Sequence, residues 1–208
     1  MPGPELSPGI WDACVRAATA APSLHNSQPW RFRLTRHGID VFADPGRRLA
    51  VVDPEGREVL ISVGAALFNL RVAIRSHGWL PVVRTFPGGE PNLVARVWAG
   101  PPAAFDPAVR ALADAIDQRH THRGPFTAAA LPVALAEDLT AAAAAEGAVL
   151  TMLDPPRRTA VFALAHAAQQ RLTSDCELDR CVAGGAVRPV GRVADTAARP
   201  QLFQDAAA

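Results

Sequence analysis

The chain has 208 residues, of which 49% are hydrophobic and 20% charged, and its formal net charge is +1. This composition supports a buried core and excludes a wholly disordered chain, and the near-zero net charge excludes a strong electrostatic footprint for nucleic acid or an acidic membrane. The three cysteines, Cys14, Cys176 and Cys181, form neither a C-x-x-C pair nor an even-numbered framework, so structural zinc and disulfides are poorly supported.

Residues 1–5 contain neither the basic nor the apolar region of a signal peptide. No apolar run approaches the roughly 18 to 20 residues needed to span a bilayer. We therefore expect a cytoplasmic protein.

The first predicted helix has Ser7 as its N-cap and Pro8 at its first position, and apolar residues recur at helical spacing up to Ala21. Apolar and charged residues then alternate over 30–34 and 39–41, on either side of a turn at His37 and Gly38. This alternation predicts a β-hairpin with one buried face.

A polar loop bracketed by Pro22 and Pro29 separates this helix from the hairpin. Because proline fixes φ and lacks a backbone donor, the loop can neither extend the helix nor join the interior of a sheet. Its side chains Ser23, Asn26 and Gln28 either satisfy the loop's own backbone, as in an ordinary turn, or contact a ligand. The local chemistry leaves both interpretations open.

Turn clusters at 44–48 and 53–56 follow, and the pair Arg47 and Arg48 is interpreted as solvated, with a ligand contact as the less favoured alternative. The longest predicted helix spans 57–77 and ends at Gly78 in a left-handed cap. Apolar residues cover much of its circumference, so it should be buried on two sides, in a core or at a subunit interface. Asn69 within it indicates a satisfied core hydrogen bond.

The remaining pattern predicts strands at 82–86 and 93–98, a boundary at 100–102 and a helix that begins at Asp106 and Pro107 and ends near Gln118. A helix through the alanine run at 141–145, a strand at 149–153 and a helix at 158–172 follow. Past about residue 182 the pattern dissolves into a tail.

Segment 119–123 places two arginines on either side of a hydroxyl, at alternate positions. In an extended chain Arg119, Thr121 and Arg123 would lie on one side and suit a phosphate. The alternative is a basic helix C-terminus that complements the helix dipole. His120 and His122 have no carboxylate or cysteine partner nearby, so no metal site is predicted.

The loop sequence A-P-S-L-H-N-S-Q-P-W-R-F at 21–32 closely resembles the A-P-S-x-x-N-x-Q-P-W-x-F segment of FMN-dependent nitroreductases. Residues 42–45, 51–58 and 64–70 look more narrowly like the actinobacterial Acg-like branch, and 119–126 resembles the family's R-x-[ST]-x-R-x-F element, which holds the flavin phosphate. The resemblance covers most of residues 6–170. It implies an α+β, nitroreductase-like fold with an antiparallel or mixed sheet packed by helices.

The order of the two motifs is the reverse of that in ordinary nitroreductases, where the phosphate element comes first and each FMN lies at a dimer interface. We interpret residues 1–105 as a complete first repeat, 106–183 as a partial second repeat and 184–208 as a poorly patterned tail. The helix at 57–77 would then be the interface helix. One composite FMN site would remain, formed by Pro22, Ser23, Leu24 and Asn26 along the isoalloxazine and ribityl groups and by Arg119, Thr121 and Arg123 at the phosphate.

The resemblance implies an FMN-dependent oxidoreductase that transfers two electrons from NAD(P)H to a small nitroaromatic or quinone acceptor. No catalytic side chain is assigned, because the acceptor can take protons from solvent. The partial second repeat leaves apolar surface unpaired, so a homodimer is expected, with neither nucleic acid nor membrane as partner. Two alternatives stay open: a non-catalytic FMN-binding or storage protein, and an inactive truncated remnant.

Overall fold

The computed structural model describes residues 4, 6–127 and 129–174. The chain divides into two units, the first extending through Thr121 and the second beginning at His122. The predictions for the tail at 184–208 and for Cys176 and Cys181 concern residues outside the described part of the chain.

The first unit contains a four-stranded antiparallel sheet with strand order β1-β2-β4-β3. Its strands span Trp30–Thr35 (β1), Gly38–Ala43 (β2), Trp79–Thr85 (β3) and Leu93–Pro102 (β4). The boundary predicted at 100–102 is wrong, because Trp79 pairs with Pro102 and β4 continues through this segment. The prolines fit there because they stand at the end of the strand, where few ladder hydrogen bonds are lost.

β1 and β2 form the predicted hairpin, with the turn at residues 36–37, one residue earlier than expected. Gly38 begins β2, and a Cβ at this position would collide with the Val97 carbonyl of β4. A glycine is therefore needed where the hairpin crosses the neighbouring strand.

Three helices complete the first unit: α1 Pro8–Thr19, α2 Arg57–Ser76 and α3 Pro107–Gln118. α1 and α3 both pack against α2, and α2 lies against the sheet. The three helices and the α+β class are confirmed. Ser7 caps α1 only through its carbonyl, which accepts from the N–H groups of Ile10 and Trp11, while its side chain makes no capping bond.

Helix α3 was assigned from the sequence to the second repeat, yet it packs on α2 within the first unit. A unit of the fold need not coincide with a repeat of the sequence, so the repeat boundaries stay a prediction.

The core lies between the sheet and helices α1 and α2, and its largest fully buried side chains include Cys14, Pro29, Ile39, Val41, Val63, Leu70, Ile74 and Val97. Trp30 is buried on β1, and Phe32 and Leu34 pack against the same core, as the alternation predicts. The expectation of one buried face is wrong for β2, an interior strand, because Asp40 on its other face is also buried.

Asp40 is paired with Arg33 and Arg96, its direct neighbours on β1 and β4. Arg33 also donates to both carboxylate oxygens of Glu90 at 2.7 Å, and these bonds hold the pKa of Glu90 below its usual value. Bonds to Glu90 and Asp40 raise the pKa of Arg33. Two arginines thus compensate a carboxylate that would be costly to bury alone.

Asn69 is buried in α2 and donates from Nδ2 to the Ala17 carbonyl of α1 at 3.0 Å, so its predicted core hydrogen bond is confirmed. The expectation that α2 is buried on two sides is not met within the described chain, since Leu60 and Ile61 are exposed and Phe68 is half-buried. By length and composition alone α2 could cross a membrane, so the expectation that no apolar run approaches this length is wrong; 50% of its apolar window is buried inside the protein.

The second unit contains α4 Val133–Ala145 and α5 Pro155–Ser174, which confirm the two predicted helices. Helix α5 equals α2 in length, 20 residues each. The strand predicted at 149–153 is wrong: the segment has no regular structure, and Val149 is 92% exposed. The described part of this unit contains no other strand with which such a segment could pair.

Cys14 is buried in α1, and burial raises the pKa of its thiol to about 12. Because the thiolate is the reactive form, we expect Cys14 in the folded protein to resist a disulfide-exchange reagent near neutral pH and to react once denaturant unfolds the chain. The raised pKa also means that stability is lost as pH rises from about 8.5, the unfolded value, towards the folded value. A variant with Cys176→Ser and Cys181→Ser isolates this thiol, and rapid labelling of its folded form would contradict the expectation.

Candidate functional site

The polar loop at 21–29 joins α1 to β1 and contains a 3₁₀ turn, Leu24–Asn26. Three non-glycine residues in it have positive φ: His25 at 46°, Asn26 at 57° and Gln28 at 48°. Left-handed backbone costs about 1–2 kcal/mol per residue with a Cβ. The loop therefore keeps this shape only because surrounding contacts hold it.

Two serine side chains provide some of the contacts that hold the loop in this shape. The Ser23 Oγ accepts from the Gln28 N–H at 2.9 Å, and the Ser62 Oγ on α2 accepts from the Leu24 N–H at 3.2 Å. Ser62 in turn donates to the Glu58 carbonyl at 2.7 Å. The Ser23 hydroxyl thus serves the loop's own backbone, one of the two roles that the sequence left open.

The loop has an outward part and an inward part. Pro22, His25 and Asn26 are exposed and Leu24 is half-buried, whereas Pro29, like the adjoining Trp30, is buried. The Asn26 Oδ1 accepts from Gln28 Nε2 at 3.4 Å. Of the residues assigned to flavin by the resemblance, Pro22 and Asn26 are exposed, whereas Ser23 and Leu24 are half-buried.

Arg119 links the second motif to this loop. Its Nη2 donates to the Ala20 carbonyl at 3.1 Å, across 99 positions of sequence. Ala20 is the C-cap of α1, immediately before the loop. The sequence offered the alternative that this basic residue complements the dipole of the helix it ends. The Arg119 side chain instead bonds the C-terminal end of α1.

The other two residues of the phosphate motif are less constrained. Thr121 is exposed and lies in the first unit, directly before the second unit begins at His122. Arg123 is exposed and lies in the second unit. The structure therefore brings Arg119 to the loop, and the assignment of Arg123 stays a prediction. The His122 ring packs edge-on against Phe126, and in the described ranges no group of three or more His, Cys, Asp or Glu side chains could hold a metal ion.

Sequence reasoning missed two residues that support the loop, Ser62 and Arg47. The Arg47 Nη1 lies 3.3 Å from the Ser27 carbonyl oxygen and 3.4 Å from that of Gln28, while Arg48 donates to the Pro54 carbonyl at 3.2 Å. Both arginines are exposed, as predicted, and their guanidinium groups in addition bind backbone carbonyls. The one signal for Ser62 was a polar side chain near the start of a largely apolar helix.

The first unit is thus an α+β protein with a Pro-bracketed loop held over α2 and an arginine at its base. A Mycobacterium tuberculosis protein provisionally named NAD(P)H nitroreductase Rv3131 is 38% identical over 136 residues, which cover 64% of this chain and 38% of that protein. Another from the same organism, provisionally named NAD(P)H nitroreductase acg, is 38% identical over 127 residues, 61% of this chain and 38% of its own length. The resemblance to nitroreductases of the Acg-like branch is confirmed, although the matched part spans well under half of each relative.

Two solved structures resemble the chain more distantly. A Parabacteroides distasonis protein provisionally described as an NADH dehydrogenase/NAD(P)H nitroreductase matches with TM-score 0.40 and 18% identity, over 50% of this chain and 79% of its own. A nitroreductase family protein of Streptococcus pneumoniae matches with TM-score 0.38 and 16% identity, over 64% and 89%. Both scores lie below 0.5, so the functional comparison rests on the mycobacterial relatives. No protein-family model matches the sequence.

Proposed function

We propose that this chain forms the FMN site of an NAD(P)H-dependent oxidoreductase of the nitroreductase type. The observation that supports the proposal is the hydrogen bond from Arg119 to the carbonyl of Ala20, the residue directly before the loop at 21–29. The names of the mycobacterial relatives support the same reaction class.

The donor groups of the described residues fit the phosphate of FMN. One of the five side-chain N–H donors of Arg119 bonds the Ala20 carbonyl, and the described residues supply no partner for the others. A guanidinium with free donors binds phosphate oxygens in a bidentate manner. The Thr121 hydroxyl, two positions further on, would add a neutral donor.

The exposed part of the loop fits the flavin ring and its ribityl chain. It offers the side-chain amide of Asn26, a partly exposed apolar side chain at Leu24 and the ring of Pro22, which can pack against a flat aromatic system. The Ser23 Oγ already accepts from Gln28, so its hydroxyl hydrogen is the atom that would be directed to the cofactor.

Bound FMN would supply the two-electron chemistry between NAD(P)H and a small nitroaromatic or quinone acceptor. Arg119 and Arg123 would neutralise its phosphate and Thr121 would donate a hydrogen bond to it, while Pro22, Ser23, Leu24 and Asn26 would orient its ring and ribityl chain. We assign no side chain as acid or base, because protons can reach the acceptor from solvent.

The exposed Leu60 and Ile61 and the half-buried Phe68 leave apolar surface on α2, which supports a homodimer as part of the proposal. Burial of such a face stabilises association by about 25 cal/mol for each Å² of apolar surface removed from water. A cytoplasmic location and the absence of nucleic-acid and membrane partners belong to the same proposal.

The proposal predicts that the purified protein, reconstituted with FMN, keeps an oxidised-flavin absorbance spectrum after desalting. Under anaerobic conditions NADH or NADPH should bleach that spectrum, and a quinone should restore it. Retained flavin that neither nucleotide bleaches would favour the storage alternative, and failure to retain any flavin would favour the truncated remnant and contradict the proposal.

A further inference from the structure

Arg47 lies under the inward part of the flavin loop, outside every segment assigned to the cofactor. It belongs to the 3₁₀ turn Pro45–Arg47, which follows β2. Its Nη1 lies within hydrogen-bond distance of two consecutive loop carbonyls, 3.3 Å from Ser27 and 3.4 Å from Gln28. The contact joins segments 19 to 20 positions apart in the sequence.

The turn that carries Arg47 is itself fixed by Asp44. The Asp44 Oδ1 accepts from the Gly46 N–H at 3.1 Å, and its Oδ2 lies 3.7 Å from the Arg47 Nε. The Asp44 N–H donates to the Pro29 carbonyl at 2.9 Å. Three consecutive loop carbonyls, those of Ser27, Gln28 and Pro29, therefore accept from this one turn, and the Gln28 carbonyl also accepts from the Trp30 N–H at 2.9 Å.

These contacts fall where the loop backbone is least favourable. His25, Asn26 and Gln28 all have left-handed φ, and Gln28 directly follows the buried Ser27. The serine contacts bind N–H groups of the loop, at Leu24 and Gln28, while Arg47 binds its carbonyl groups. A loop strained at three positions needs both sets of contacts to keep one conformation.

We propose that Arg47 is a positioning residue for the FMN site: its guanidinium holds the Ser27 and Gln28 carbonyls and so fixes the left-handed loop that presents Leu24 and Asn26 to the flavin. This inference rests on the proposed function. Arg47 acts through the loop backbone and does not itself touch the cofactor.

The chain contains a matched control, because Arg48 is the next residue and also donates to a backbone carbonyl, that of Pro54, outside the loop. The test compares Arg47→Ala with Arg48→Ala by two measurements. The first is amide hydrogen exchange of residues 21–30 in the FMN-free protein, which needs no cofactor. The second is the FMN dissociation constant.

We expect Arg47→Ala to speed exchange at the loop amides, including that of Gln28, and to weaken FMN binding about tenfold, the effect of losing a charge-assisted hydrogen bond. Arg48→Ala should leave loop exchange and FMN affinity unchanged. Arg47→Lys keeps the charge but offers a point donor in place of a planar fork, so it should restore part of both readouts. This variant also serves if Arg47→Ala fails to fold.

The two measurements separate failure of the inference from failure of the proposed function. Unchanged loop exchange in both Arg47 variants would overturn the positioning role, even if FMN binding weakens, because Arg47 would then contact the cofactor directly. Faster loop exchange in a protein whose unsubstituted form binds no FMN would instead show that Arg47 holds the loop, and it would overturn its link to FMN together with the proposed function.

Discussion

Replacing Leu70 with alanine is expected to lower the free energy of unfolding by about 2–5 kcal/mol. Leu70 is 0% exposed and lies in the part of α2 that packs into the core between the sheet and α1. The substitution removes buried methyl groups and leaves a cavity that close-packed neighbours fill only in part. A domain is typically stable by only about 5–15 kcal/mol, so the loss is a large fraction of the total.

Leu112→Ala is the matched control, since Leu112 is also helical but is 48% exposed on α3. Its effect should stay within about 1 kcal/mol, as for a side chain that buries little surface. Urea denaturation followed by circular dichroism measures both changes. Equal destabilisation by the two substitutions would contradict the packing described for α2.

Arg119→Ala is expected to weaken FMN binding by about 1.5–3 kcal/mol, the range for hydrogen bonds to charged groups. That loss corresponds to roughly 10- to 150-fold in the dissociation constant. The physical reason is the removal of a guanidinium that the Ala20 carbonyl holds at the base of the flavin loop. The resemblance assigns Arg123 the same role at the phosphate, so Arg123→Ala is expected to have an effect of similar size.

The control for Arg119 is Arg110→Ala on the same helix, where the guanidinium is exposed and pairs with Asp114 one turn away. It removes the same charge and should leave FMN affinity nearly unchanged. Fluorescence titration of FMN gives all three dissociation constants. If neither Arg119→Ala nor Arg123→Ala weakens binding, the composite site is wrong.

Local patterns were enough to predict most helices and strands of the first unit. The hairpin, α1, α2 and α3 all follow from periodicity and end signals that lie within each segment. The predictions that failed depend on neighbouring strands. β4 continues through Pro101 because Trp79 on β3 pairs with Pro102, and the strand predicted at 149–153 has no partner strand in the described part of its unit. Pairing is a tertiary property that composition does not encode.

The candidate site likewise contains features that the local sequence predicts and contacts that depend on distant residues. Pro22 and Pro29 predict the loop, because each proline fixes its own φ and lacks a backbone donor whatever its neighbours are. Its supports come from far away in the chain: Ser62 bonds Leu24 across 38 positions and Arg119 bonds Ala20 across 99. No rule of sequence spacing predicts such contacts. The left-handed residues of the loop could not be predicted from the sequence either, because none of them is glycine, the residue that usually marks positive φ.

We propose that the flavin loop and the phosphate motif form one composite FMN site. Its most direct test is titration of FMN into the purified, FMN-free protein, with bound and free flavin separated by ultrafiltration. A single composite site predicts saturable binding that ends at one FMN per chain. Absence of saturable binding, or saturation at a clearly different ratio, would contradict it.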